Sequence, residues 1–73
     1  MRNTSWHVRL HRPITIQDDN NPITIEPGEY PMREADLTSY ELGEKTRPLG
    51  RLRLSDLMRL RRSGVITIEG AFP

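Results

Sequence analysis

No cysteine occurs anywhere in the 73 residues, which removes disulfides, thiolate zinc sites and thiol nucleophiles at once. Aromatic side chains are nearly as scarce, with one Trp, one Phe and two Tyr, too few for a base-stacking platform. No apolar run approaches the roughly 18 residues of a membrane span. The first 15 residues interrupt their apolar positions with Arg, His or small polar residues, unlike a signal-peptide core, so the chain is expected in the cytoplasm and the Asn3-Thr4-Ser5 glycosylation pattern out of reach of its machinery. Neither a Gly-x-Ser-x-Gly elbow nor a phosphate-cradling glycine loop is present, and no serine has neighbours that suggest a base. Enzymatic activity and cofactors are therefore not expected. With hydrophobic residues at 34%, a chain of this length buries only about 60% of the surface it exposes when unfolded. Packing alone, or a partner, must complete its stability.

What is present is charge, and arginine above all. Ten of the eleven basic residues are Arg, whose planar fork binds carboxylates and phosphates bidentately. The charge falls in blocks. Residues 1–17 carry Arg2, Arg9 and Arg12 and no acid; residues 18–45 carry eight acids against Arg33 and Lys45; residues 46–65 carry six arginines against Asp56. Such blocks either lie together as a solvated surface or form a binding face.

Trp6, Val8 and Leu10 alternate with His7, Arg9 and His11, the period of a strand with one buried face. Pro-Ile-Thr-Ile stands at 13–16 and again at 22–25, and Ile-Thr-Ile recurs at 66–68. Each is a short β-branched strand, and the turn chemistry of residues 17–22 makes a hairpin of the first two. The spacings are too unequal for a solenoid repeat. Pro27-Gly28 turns the chain again, and Glu29 to Met32 reads as a short edge strand broken by Pro31. Residues 33–47 have weak periodicity and dense acid, and read as a loop with one helical turn near Ala35 to Tyr40. Ser55 as N-cap and Asp56 in the first turn predict a helix over about 56–63, with Arg59, Arg61 and Arg62 in its last turn and Gly64 beyond it. Val65 to Glu69 is a final strand. The expected fold is α+β: a small antiparallel sheet of three to four short strands with one short helix in the C-terminal half. Its core is expected from Ile14, Ile16, Ile23, Ile25, Leu57, Leu60, Ile66 and Ile68. The 73 residues make a single small domain, monomeric, with a flexible N-terminal segment of about residues 1–5 too poor in apolar content to be tied down.

His7 and His11 lie four apart, but nothing nearby supplies the further ligands a metal needs, and the acids at 18 and 19 lack the spacing of a calcium loop. Two candidate contact surfaces remain. One is the run GRLRLSDLMRLRRSG, where Arg59, Arg61 and Arg62 either meet a partner or solvate the one core helix. The other is the N-terminal run, where Arg2, Asn3, Ser5, His7 and Arg9 surround Trp6; Trp and Arg are frequent hot-spot residues, although Trp6 has slightly better reason to be core.

As a whole, an arginine-rich, cysteine-free chain with a short hairpin and one basic helix, the sequence resembles the small transcription regulators of lytic bacteriophages that bind host RNA polymerase. The likeness is one of length and character and transfers no residue role. It implies a protein partner, host RNA polymerase near its RNA exit region, and action by occupancy rather than catalysis: displacement of the σ factor, inhibition of initiation and antitermination in the host bacterial cytoplasm. An arginine-rich nucleic-acid-binding module using Arg51, Arg53, Arg59, Arg61 and Arg62 on phosphates, or an inhibitor of another host protein, fits the same residues.

Overall fold

Alternation of apolar and polar side chains drives most of this chain into strands. The computed structural model describes residues 5–18, 21–70 and 72. In it β1 (Ser5–Leu10), β2 (Ile14–Asp18), β3 (Asn21–Ile25), β4 (Gly28–Asp36), β5 (Ser39–Glu44) and β6 (Arg47–Arg53) precede one helix, α1 (Leu54–Arg62), and a last strand, β7 (Ile66–Glu69). Five strands form an antiparallel sheet in the order β6-β5-β4-β1-β7, while β2 and β3 pair only with each other. The described residues are thus mostly β, seven strands in a five-stranded and a two-stranded sheet with one helix, which corrects the expected α+β arrangement of three to four strands.

The correction has a local origin. Residues 33–47, expected as a loop with a helical turn, are the end of β4, all of β5 and the start of β6. Pro31 does not break its strand, because pairing with β5 begins only at Met32 and leaves an unpaired side at position 31. Asp36 then opens the β4–β5 turn, its Oδ1 accepting the Thr38 amide at 2.9 Å, as Asp does where it mimics a backbone turn. Register slips between Leu42 and Gly43. Gly43 sits there at φ +106°, and a Cβ on it would lie 2.8 Å from the Leu49 amide nitrogen, so glycine alone fits the bulge.

One face of the large sheet is apolar. Val8 and Leu10 of β1 stand opposite Ile68 and Ile66 of β7, with Met32, Leu42 and Leu52 completing the row, and all seven are buried. Helix α1 covers this face through Leu57, fully buried, with Leu54, Met58 and Leu60 partly so. The hairpin covers it through Ile14, Ile16 and Ile25; Ile16 Cδ1 would lie 3.0 Å from a Cβ at Gly50 of β6. Of the expected core, Ile23 and Leu60 are only partly buried, and Tyr40 and Phe72 join it.

Helix α1 also starts earlier than expected. Its N-cap is Arg53, with no side-chain capping bond, so Ser55 lies inside the first turn rather than capping it. The Leu54 amide instead donates to Thr38 O at 2.9 Å, tying the helix start to the β4–β5 turn. Asp56 in the first turn and Arg59, Arg61 and Arg62 in the last suit the helix dipole, and Gly64 beyond it takes φ +79°.

Candidate functional site: an arginine-lined cleft

Where β2, β6 and the start of α1 meet, they enclose a cleft of about 630 Å3, within the size range of ligand sites. Arg12, Arg51, Arg53 and Arg59 line it, over a floor that includes Ile14, Ile16, Leu52, Leu60 and Val65. Its one acid, Asp56, accepts a hydrogen bond from Arg59 at 3.0 Å. Among the described residues no ion pair engages Arg12, Arg51 or Arg53. The balance is therefore positive above an apolar base. Among the described residues the one carboxylate of the lining is already paired, so the cleft's arginines are suited to an anionic group.

Asp36, in the β4–β5 turn, is not among the residues that line the cleft. Its carboxyl is held below the usual range chiefly by the Thr38 amide, with Ser39 and the Arg51 charge adding to the effect.

The open face of the sheet carries a second set of charges. His7 Nε2–H donates to Glu29 Oε1 and Arg9 donates to Glu29 Oε2, both at 2.7 Å. These bonds, His7 first and Arg9 second, hold the Glu29 carboxyl below its usual range. Arg33 donates to Gly43 O at 2.9 Å and to Glu41 Oε1 at 2.6 Å. His11 Nε2 and Thr67 Oγ1 share a hydrogen bond of 2.8 Å. Here these side chains meet one another, and Arg51 shares the face, standing opposite Glu41 in the sheet.

The N-terminal residues singled out from sequence do not form one surface. Arg2 and Asn3 lie outside the described residues. Ser5, His7 and Arg9 share the open face of β1, whereas Trp6 points the other way. Its ring meets Tyr40 at 5.6 Å and Phe72 at 5.2 Å, and Tyr40 and Phe72 stand 5.2 Å apart, all three edge to face. Of the helix arginines, Arg59 reaches the cleft, and Arg61 and Arg62 are exposed outside it. Arg12 was the residue missed: it stands far from the arginine-rich run in sequence, and only the contact of β2 with β6 brings it there. Among the described residues no group of three or more metal-ligating side chains gathers, and no helix is long and apolar enough to cross a membrane.

No protein-family model, curated protein or solved structure matches this chain.

Proposed function

We propose that the protein is a non-enzymatic regulator that binds bacterial RNA polymerase in the host cytoplasm, inhibits initiation by σ displacement and promotes antitermination, with the arginine-lined cleft as its contact site. The observation that carries this reading is the cleft itself: four arginines line it beside an apolar floor, three of them without an ion pair among the described residues. Arginine above apolar surface is hot-spot composition, and the unmatched positive charge selects an acidic partner surface. The likeness in size and character to phage regulators of host polymerase supplies the identity of that partner.

One feature favours a protein partner over a nucleic acid. Trp6, Tyr40 and Phe72 meet one another edge to face against the core and are not available as a platform for bases.

The test is an affinity pull-down from bacterial lysate, with and without nuclease, read by mass spectrometry. Core polymerase recovered equally in both arms supports the reading. Recovery only where nucleic acid is intact overturns it in favour of the phosphate-binding alternative, for which random duplex DNA should bind with a log-log salt slope of about −4 to −5 for five arginines on phosphates.

A further inference from the structure

The cleft is lined by consecutive residues of two strands: Arg51, Leu52 and Arg53 of β6, and Ile14, Thr15 and Ile16 of β2. In a strand, neighbouring side chains point to opposite faces. Leu52 is buried on the core side while Arg51 and Arg53 are exposed on the other, and Ile14 and Ile16 are buried while Thr15 is exposed beside Thr24. A cavity touched by both faces of a strand lies along that strand's edge. Among the described residues both edges are also free: β6 is the outermost strand of the large sheet and pairs only with β5, and β2 pairs only with β3. A free strand edge presents unpaired N–H and C=O groups to whatever lies beside it.

We propose that this cleft is a strand-insertion slot, in which an extended acidic segment of the partner protein adds to the edge of β6 as a sixth strand of the large sheet, with β2 as the opposite wall. The geometry also sets the occupant's side-chain pattern. Residues of an added strand that share the outer face of β6 lie beside Arg51 and Arg53, where carboxylates fit. Those between them turn toward Leu52, Ile14 and Leu60, where aliphatic side chains fit. The occupant therefore alternates Glu or Asp with Val, Ile or Leu over about five residues, since main-chain pairing gives affinity in this mode and alternate pockets give specificity. This deepens the preceding reading and rests on it for the location of the contact, not for the identity of the partner.

The probe is a fluorescent acetyl-Glu-Val-Glu-Val-Glu-amide peptide, followed by anisotropy against the full-length protein, beside a shuffled Val-Val-Glu-Glu-Glu peptide and two versions N-methylated at alternate amides. The proposal expects the alternating peptide to bind. Methylation along one edge should weaken it at least tenfold and methylation along the other much less, and the backbone amides of Arg51, Leu52 and Arg53 should shift in NMR spectra. The double reversal Arg51→Glu with Arg53→Glu should lose the acidic peptide at least tenfold and gain a Lys-Val-Lys-Val-Lys peptide. Equal affinity for the shuffled peptide, indifference to both methylations, no binding of the alternating peptide, or equal displacement by a single-stranded oligonucleotide of matched charge would each overturn it. The methylation comparison uses the unaltered protein and stands even if the double reversal fails to fold. Peptide binding without recovery of polymerase would keep the slot and discard the partner; polymerase binding that survives the double reversal would keep the partner and discard the slot.

Discussion

Gly43 and Arg33 are joined at a single point of the sheet. The bulge at Gly43 turns its carbonyl toward Arg33, which also reaches Glu41, so one side chain fastens β4 to the slipped part of β5. Replacing Gly43 by Ala places a Cβ against the Leu49 backbone at φ +106°; the strained backbone alone should cost about 1–3 kcal/mol, read as a lowered midpoint in urea. Arg33→Ala removes charge-assisted bonds from a half-buried site, where such bonds contribute about 1.5–3 kcal/mol. Arg33→Lys should recover only part of that loss, because an ammonium cannot reach the carbonyl and the carboxylate as a fork does. Full recovery by Lys would show that charge alone matters there.

Acid should act through two carboxyls. Glu29 is held below its usual range by His7 and Arg9, and Asp36 chiefly by the Thr38 amide. A depressed folded pKa stabilises the native state above the unfolded value, about 4.3 for Glu and 3.9 for Asp. That contribution is lost as pH falls through the lower folded value. Thermal midpoints in low salt should therefore hold down to about pH 5 as far as these groups are concerned and decline below it, with a shallower decline in Glu29→Gln. Identical acid slopes for the two proteins would remove Glu29 from the account.

At the scale of elements, the aromatic cluster binds the first strand to the far end of the chain. Trp6 of β1 and Phe72 are in contact at 5.2 Å, and edge-to-face pairs add about 0.5–1.5 kcal/mol each beyond the area they bury. Phe72→Ala should cost about 3–5 kcal/mol, and Trp6→Ala should lower the melting temperature comparably rather than leave a folded protein that merely binds less well. A Trp6→Ala variant that melts like the parent would return Trp6 to the list of contact residues.

Elements whose alternation is uninterrupted were legible in the sequence. Val8 and Leu10 in β1, the paired Ile-Thr-Ile runs of β2 and β3, Ile66 and Ile68 in β7, and the leucines of α1 each report their own buried face. Illegible elements were those where one residue interrupts the period. Pro31 hides β4 until its unpaired side is known, and Gly43 cuts the alternation that Tyr40 and Leu42 begin. The turns at Leu37-Thr38 and Lys45-Thr46 carry no Gly or Pro to announce a hairpin. The site was legible in part. Arg51, Arg53 and Arg59 stood out as a basic run, but their meeting with Arg12 depends on the hairpin leaving the large sheet and packing over β6, which no local pattern encodes. Trp6 left core and contact readings both open for a related reason: its neighbour Phe72 is close only after folding.

For the molecule as a whole, charge is nearly neutral at +1, yet its pairing is uneven. On the open face His7, Arg9 and Arg33 pair with Glu29 and Glu41, while Arg51 and Arg53, on the same face at the β6 edge, and Arg12 remain without an ion pair among the described residues. This unbalanced surface is where an acidic partner gains most. The central claim, that the cleft is the contact site for polymerase, is tested most directly by the affinity of purified RNA polymerase core for the parent protein and for Arg51→Glu with Arg53→Glu, measured at physiological salt with melting temperatures recorded for both. The account predicts that the reversed variant keeps its melting temperature within a few degrees and binds at least tenfold more weakly, a change of about 1.4 kcal/mol or more. A folded variant that binds the polymerase as tightly as the parent would contradict it.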